Sequence, residues 1–330
     1  MDVKPLPKID LHHHLDGAIR VRTILELARR MNVPLPARTI AGLKPHVSIS
    51  SPVGSLKAFL RKFEVFYPIL RGGAAMERIA YEVCEDQARD NVIYFETRYA
   101  PLLSEGPDFT MADSVRAVMR GLERGGKKFG VRWGLILCML RGHERHSIET
   151  VKLAASHGCA GVDLAGDESR PARPHAKAFA LARKLRLPIT IHAGEARPES
   201  NIREAVKLGA RRIGHGIRLD RYARELTRRG IQLEMCLTSN LHTGGVPSIF
   251  KHPFRRFYEA GVPVTLNTDD PAISNITLSG ELDLARRTYW LTREELRDLQ
   301  LRSASAAFAP AALKRELAVE INSGWRAPEF

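Results

Sequence analysis

Two histidines separated by one residue lie near the start of the chain, at the end of a short apolar run. The segment at 8–17 is KIDLHHHLDG. If it forms a strand, alternate side chains share a face, so His12 and His14 converge while the histidine between them points the other way. Two imidazoles on one face are half of a metal site. Such a pattern alone is equally typical of a surface turn, but the preceding apolar residues and the following Asp16-Gly17 favour a strand that ends at a turn.

Further His, Glu and Asp residues follow other short apolar runs. The segments are DLAGDE at 163–168, HAGE at 192–195, GHG at 214–216 and NTDDP at 267–271. Each of these motifs alone is weak evidence for a catalytic site. An Asp pair before Pro usually forms a turn, and a His between glycines is more often structural than catalytic. Their coincidence at apparent strand ends favours a metal-dependent hydrolytic site. Nitrogen and oxygen ligands that zinc accepts without a thiolate are supplied by His12, His14, His192 and Asp269.

Eight strand-like runs, separated by helical segments, would position these groups. The runs cover residues 9–14, 91–98, 131–138, 161–165, 188–193, 212–216, 231–236 and 263–268. This alternation is typical of an α/β fold, a single (β/α)8 TIM-type barrel, in which catalytic groups lie where strands end and loops begin. With no internal repeat or linker, we expect one domain over residues 1–325. Residues 326–330 are expected to be a disordered tail, and 329–330 a cloning remnant.

Helical periodicity predicts several helices around and beyond the strands. They are expected at residues 20–31, 76–90, 111–127, 279–289, 292–302 and 311–321. Residues 32–52, rich in Pro, Ser and small side chains, are predicted to be a loop. A further helix begins after Ser55 as N-cap. Its apolar positions share one face, which usually indicates core packing: Leu56, Phe59, Leu60 and Phe63.

Composition restricts the class of protein. The chain has 330 residues, 44% of them hydrophobic and 27% charged, without a signal-like apolar start or a run long enough to span a membrane. We therefore expect a cytoplasmic protein without a membrane partner. Its four cysteines are scattered and predicted to be reduced and mostly buried. The net charge of +14 (51 basic minus 37 acidic residues) comes from single or paired basic residues, which favours a solvated surface over a nucleic-acid site.

Taken together, these motifs resemble the adenosine deaminase family of zinc aminohydrolases, in order and spacing from about residue 7 to about residue 315. The resemblance implies a barrel with one Zn²⁺ per chain that hydrolyses adenosine, and 2′-deoxyadenosine, to inosine and ammonia in purine salvage. The partner would be a small purine nucleoside, bound by a monomer or a homodimer. Family members often have Pro where this chain has Leu237, which alters turn rigidity and no catalytic group. The segments 273–275 and 281–282 also differ from commoner members.

The resemblance also implies a role for each matching residue. His12, His14, His192 and Asp269 match the zinc ligands. Glu195 matches the acid that protonates purine N1, and His215 the group that helps deprotonate the attacking water. Asp270 matches the residue that hydrogen-bonds N7, Gly166 a backbone contact to N3, and Asp16 the contact to the ribose 5′-hydroxyl. The helix with Leu56, Phe59, Leu60 and Phe63 resembles a hydrophobic lid over the nucleoside, formed by extra helices after the first strand.

The chemistry of the reaction supports these roles independently. An amino group on an aromatic purine leaves poorly, so water must first be activated, and zinc lowers the pKa of water from 15.7 to about 7. Attack puts charge on N1, which a protonated Glu195 can neutralise if burial raises its pKa. The alternative for Glu195 is a surface glutamate at the start of a helix. An aspartate at position 16 accepts a hydrogen bond from a 5′-hydroxyl but repels a 5′-phosphate; the resemblance adds that relatives acting on adenine tend to have Glu there and those acting on a methylated nucleotide Asn.

The sequence also allows functions other than adenosine deamination. Within the family, the chain could act on another 6-amino or 6-alkylamino purine, such as adenine or an N6-modified nucleoside. From another class, the basic charge allows a nucleic-acid-binding protein or an RNA-editing deaminase, but HERH at 143–146 does not supply the H-x-E and P-C-x-x-C signatures of the latter. A third interpretation is a barrel that keeps the metal ligands but has lost catalytic activity and serves as a binding scaffold. This interpretation is disfavoured because Glu195 and His215 are both present.

Overall fold

The fold is built on eight parallel strands. The computed structural model describes residues 1–326, and its strands are Lys8–His14 (β1), Val92–Tyr99 (β2), Arg132–Leu140 (β3), Gly161–Ala165 (β4), Thr190–Ala193 (β5), Arg212–His215 (β6), Gln232–Met235 (β7) and Val264–Leu266 (β8). They pair in chain order within β1–β4 and within β5–β8. Single parallel bridges, Val162 with Ile189 and His13 with Asp269, join the two sheets. The predicted (β/α)8 barrel is confirmed.

Helices connect and surround the strands. Their bounds are Val21–Arg30 (α1), Ile40–Val47 (α2), Leu56–Glu64 (α3), Gly73–Arg89 (α4), Met111–Phe129 (α5), Ser147–Ser156 (α6), Ala176–Lys184 (α7), Glu199–Leu208 (α8), Ala223–Arg229 (α9), Leu237–His242 (α10), Phe254–Glu259 (α11), Pro271–Ser274 (α12), Leu278–Tyr289 (α13), Arg293–Ala306 (α14) and Ala311–Arg326 (α15). The predicted cap of α3 is confirmed, because the Ser55 side chain accepts a hydrogen bond from the backbone N–H of Ala58. Extra helices do follow β1, and three helices complete the C-terminal part.

Two predictions about segments were wrong. The stretch 32–52 is not all loop, since it contains α2, which is capped by Thr39 and buries Leu43 and Val47. The C-terminal tail does not begin at residue 326, because α15 reaches Arg326. The buried Trp325 holds this helix to the start of the chain, and its indole N–H donates to the backbone oxygen of Pro7 at 2.8 Å. The rest of the predicted tail, including the suggested cloning remnant, lies outside the described residues.

An apolar core fills the space between the strands and the helices. The four cysteines are free and buried, as expected: Cys84, Cys138, Cys159 and Cys236. Within residues 1–326, no helix combines the length and the apolar character that crossing a membrane requires. The barrel interior, in contrast, holds charged side chains, and these lead directly to the candidate site.

Candidate metal centre and active site

Four side chains meet at the carboxyl ends of the strands, with their ligand atoms all within 4.8 Å of one another: His12, His14, His192 and Asp269. The Nε2 atoms of His14 and His192 lie 3.2 Å apart. One carboxylate oxygen of Asp269 lies 3.1 Å from His12 Nε2 and 3.3 Å from His14 Nε2. The structure thus brings together the four residues that were predicted from the sequence to be metal ligands.

The donor set fits a zinc ion. Ligands about 2.0–2.1 Å from a tetrahedral zinc are separated from each other by about 3.3–3.4 Å, close to the separations found here. The Nε2 atom of His12 is buried and has no hydrogen-bond partner among the described residues. An unpaired nitrogen is costly inside a protein unless a ligand takes it. The site therefore has the composition and the spacing for one divalent cation bound by nitrogen and oxygen.

Buried carboxylates orient two of the histidine ligands. Glu234 on β7 accepts from Nδ1 of His12 at 2.7 Å, and Asp163 on β4 lies 3.0 Å from Nδ1 of His192. A carboxylate on Nδ1 leaves Nε2 free to bind metal and raises its basicity. Burial alone would raise the pKa of Glu234, but Arg98 and Arg212 hold it well below its usual range.

One guanidinium links these two carboxylates. Arg98 on β2 is fully buried and lies 3.2 Å from Asp163 and 3.1 Å from Glu234. Burial raises the pKa of Asp163, whereas His192 and Arg98 lower it, and the net pKa lies well below the usual range. Both carboxylates are therefore ionised. No role was predicted for Arg98, Asp163 or Glu234 from the sequence. The available signal was a charged residue inside each of three apolar strand segments.

Backbone geometry at two strand ends is unusual. His215, the last residue of β6, has φ +63°, and Asp269, after β8, has φ +64°. Non-glycine residues in this left-handed region are uncommon and cluster at functional sites. Gly214 lies against the metal ligands, because a Cβ there would meet Cε1 of His12 at 3.0 Å. The GHG motif thus lets a histidine ring approach β6 closely.

Glu195 lies beside this cluster and is 4% exposed. Its Oε2 is 3.6 Å from Nε2 of His215, and its Oε1 has no hydrogen-bond partner among the described residues. Burial raises the pKa of Glu195 to about 8, with repulsion from Asp269 and Glu168 adding to the shift. The raised pKa favours the protonated acid at neutral pH, and the burial of the side chain excludes the alternative of a surface glutamate.

The loop that carries Glu195 is held by a second glutamate. The carboxylate of Glu168, which is 3% exposed, accepts hydrogen bonds at 2.5 to 3.1 Å from four consecutive backbone N–H groups. These belong to Gly194, Glu195, Ala196 and Arg197. The side-chain amide of Asn201 donates to it as well. This carboxylate fixes the position of the acid without reaching the metal ligands. Sequence reasoning included Glu168 in a motif but missed this function.

Two further acids, Asp16 and Asp270, line the same cavity. Burial raises the pKa of Asp16 to about 7. Burial and the neighbours Asp269, Asp16 and Glu195 raise the pKa of Asp270 well above its usual range. One oxygen of each is buried and has no hydrogen-bond partner among residues 1–326. Asp270 also requires Gly17, because a Cβ there would lie 1.8 Å from its carboxylate oxygen.

The cavity has a volume of about 260 Å³ and reaches from the metal ligands to α3. All four predicted lid residues line it: Leu56, Phe59, Leu60 and Phe63. They divide into two kinds, since Phe59 and Phe63 are buried in the core whereas Leu56 and Leu60 are half-buried. Gly166 also lines the cavity and has φ +96°. Tyr67, Leu103 and Arg141 also line the cavity and were not nominated from the sequence.

This fold and this site are those of the (β/α)8-barrel hydrolases. Comparisons with known proteins identify the family within that class. Residues 7–323 match the family model described as adenosine deaminase. An adenosine deaminase from Clostridium botulinum (strain Okra / Type B1) is 38% identical over 326 residues, which cover 96% of this chain and 97% of that relative. The chain belongs to the adenosine deaminase family and is an enzyme of the hydrolase class.

Solved structures agree with this assignment. The N6-methyl-AMP deaminase from Arabidopsis thaliana, solved in the apo form, matches with a TM-score of 0.86 and 30% sequence identity over 97% of both chains. An amidohydrolase from Burkholderia ambifaria, solved with bound Zn, matches with a TM-score of 0.87 and 25% identity, covering 97% of this chain and 92% of that one. The chain is therefore similar to proteins whose names give more than one purine substrate.

Proposed function

We propose that this protein is a zinc-dependent hydrolase that converts adenosine, and 2′-deoxyadenosine, to inosine and ammonia. The observation that carries the proposal is the convergence of four metal ligands and the buried Glu195, whose pKa is raised, in one cavity of nucleoside size. The name of the Clostridium botulinum relative supports the substrate, and the zinc in the Burkholderia structure supports the metal. We further propose one zinc per chain, one catalytic domain over residues 1–325, and a cytoplasmic role in purine salvage.

In this proposal His12, His14, His192 and Asp269 hold the zinc ion. Bound there, zinc supplies Lewis-acid activation of the attacking water at neutral pH. Glu234 and Asp163 keep the imidazoles of His12 and His192 oriented with Nε2 toward the ion. Arg98 keeps both carboxylates ionised.

Glu195 moves the proton that the reaction needs. Water adds to C6 of the purine while Glu195 gives its proton to N1, which relieves the charge that the lost aromaticity places there. Glu195 then returns to its acid form by taking the proton that the water loses. The hydroxyl proton on C6 next passes to the amino group, which leaves as ammonia, so that atoms and charges balance. His215, beside Glu195, orients the water.

The remaining residues hold the nucleoside. N7 carries a lone pair and needs a donor, which a protonated Asp270 supplies. Asp16 takes the 5′-hydroxyl, and the backbone of Gly166 contacts N3. Above them, the apolar face of α3 excludes water from the reacting atoms.

A second candidate is a 6-alkylamino purine substrate. It is favoured by the similarity to the Arabidopsis N6-methyl-AMP deaminase. The buried acid Asp16 argues against a 5′-phosphate, because its ionised form, which predominates above its pKa of about 7, repels a phosphate in a site of low dielectric constant. The candidate is therefore an N6-modified nucleoside rather than a nucleotide.

The proposal is tested with purified, zinc-loaded protein. We expect adenosine absorbance to fall and chromatography to recover inosine with one equivalent of ammonia. We would also assay 2′-deoxyadenosine, adenine, AMP and an N6-methylated nucleoside as substrates and compare their kcat/KM values with that of adenosine. Absence of turnover with zinc bound, or faster turnover of adenine or a nucleotide than of adenosine, would overturn the substrate assignment.

A further inference from the structure

A chain of buried side chains runs from the backbone of α11 to His215. It consists of His252 and Asn240, which are 4% and 0% exposed, and ends at the 1% exposed imidazole of His215. The three side chains are connected by hydrogen bonds of 3.0 and 3.1 Å. His252 and Asn240 take no part in the function proposed above.

The direction of every hydrogen bond in this chain follows from its first member. The backbone N–H of Phe254 donates to Nδ1 of His252 at 3.1 Å, so that nitrogen carries no proton. A neutral imidazole then carries its proton on Nε2. Burial lowers the pKa of His252 to about 3, so the ring is neutral at any working pH.

The next link fixes the amide of Asn240. Nε2–H of His252 donates to Oδ1 of Asn240 at 3.1 Å. The amide nitrogen of Asn240 must therefore face the other way, toward Nδ1 of His215, at 3.0 Å. An amide N–H only donates, so Nδ1 of His215 is the acceptor. The oxygen and nitrogen of this amide are thus assigned by the backbone N–H of Phe254, which lies two hydrogen bonds away along the chain.

We infer that His252 and Asn240 are positioning residues that fix the tautomer of His215, so that its Nε2 presents an N–H and not a lone pair to the active site. The inference rests on the proposed function. This N–H points to the corner shared by Glu195 and Asp269, whose nearest oxygens are 3.6 and 3.8 Å from Nε2. His215 therefore orients the attacking water by donating a hydrogen bond to its oxygen. It does not accept the proton of that water, which differs from the role that the sequence resemblance implies.

The tautomer is measured directly by two-bond ¹H–¹⁵N correlation of protein labelled at histidine nitrogens, with and without zinc. The chain has 12 histidines, and the signals of His215 are assigned by their loss in His215→Asn. We expect Nε2 of His215 to carry the proton in the wild-type protein. A proton on Nδ1 would overturn the inference whether or not adenosine is a substrate.

Asn240→Asp tests whether the chain sets the tautomer. A carboxylate only accepts, and the hydrogen bond that Nε2–H of His252 donates favours its ionised form, so the proton of His215 should move to Nδ1. With the wrong tautomer we expect kcat to fall at least 100-fold while KM and zinc content change less than threefold. An unchanged Nε2 proton in Asn240→Asp, or kcat within fivefold of wild type after the proton has moved, would overturn the inference.

His242→Asn is the matched control. His242 is a buried histidine on the same short helix as Asn240, and its Nδ1 is bonded to Ser274 instead of His215. Its replacement should leave the nitrogen signals of His215 in place. A shift of the His215 proton in this control would mean that general packing, and not the hydrogen-bonded chain, sets the tautomer.

Discussion

His12 and Glu234 form a hydrogen bond of 2.7 Å between two fully buried side chains that are 222 residues apart in sequence. The carboxylate takes the proton-bearing Nδ1 and leaves Nε2 for the metal. Because Glu234 also contacts Arg98 and Arg212, it joins the metal ligand to the charged interior of the barrel. The metal site is therefore supported by β7, a strand that contributes no metal ligand.

Glu234→Gln should weaken zinc binding. The carboxamide accepts the hydrogen bond from His12 but carries no charge to raise the basicity of the imidazole, and orienting partners of this kind contribute about 10- to 100-fold in metal affinity. Competition with a chromophoric chelator measures the loss. Glu281→Gln is the control, because Glu281 is equally buried but bonds to Thr238, away from the metal ligands. Equal zinc affinity in Glu234→Gln and wild type would contradict the role given to Glu234.

Glu195→Gln should separate proton donation from metal binding. The ligand set is intact, so zinc content should equal that of wild type, while kcat should fall by about 10²- to 10⁴-fold because the N1 proton has no donor. Metal analysis and steady-state kinetics are run on the same preparation. Equal rates in the two proteins would show that another group is the acid.

The acid form of Glu195 also sets the pH dependence. Its pKa is raised to about 8, so the active protonated form is present at neutral pH and is lost as the pH rises through 8. We expect kcat to be flat between about pH 6.5 and 7.5 and to fall tenfold per pH unit well above 8, at constant zinc content. A kcat that rises between pH 7 and 9 would be inconsistent with an acid at this position.

Two substitutions on α3 should separate substrate binding from folding stability. Leu60 is half-buried and lines the cavity, so Leu60→Ala should cost about 1–2 kcal/mol of substrate binding, a 5- to 30-fold loss in kcat/KM, with little change in melting temperature. Phe59 is 1% exposed, and Phe59→Ala should destabilise the fold by about 3–5 kcal/mol. Thermal unfolding and kinetics of both variants check the distinction. A large loss of stability in Leu60→Ala would show that Leu60 packs in the core and would contradict its role in binding the substrate.

The sequence predicts the barrel and its ligands because both are local patterns. Alternation along β1 suffices to place His12 and His14 together, and a short apolar run before each polar motif marks a strand end. Helix α2 was missed because Pro45 and small residues obscure its periodicity. The supporting residues Glu234 and Arg98 were missed for a different reason: their partners are on distant strands, and only closure of the barrel brings those strands together.

The direction of a buried hydrogen bond is a further property that no local pattern contains. Asn240 lies on α10, yet its partner His252 precedes α11 and the backbone donor that orients His252 is the first residue of α11. A sequence motif therefore identifies His215 as functional without telling whether it donates or accepts. The tertiary structure decides that point.

Asp16 is the residue that we expect to discriminate between a nucleoside and a nucleotide. One oxygen of this buried acid has no hydrogen-bond partner among the described residues, and the side chain lines the cavity. Asp16→Asn replaces a group that repels a 5′-phosphate with an amide that donates to it, so the ratio of kcat/KM for AMP to that for adenosine should rise at least tenfold, equivalent to about 1.4 kcal/mol. Asp167→Asn is the control, since Asp167 also lines the cavity but is exposed and screened by solvent. A similar change in both variants would mean that overall charge at the cavity mouth selects against nucleotides; a change confined to Asp16→Asn would assign the selection to one buried contact.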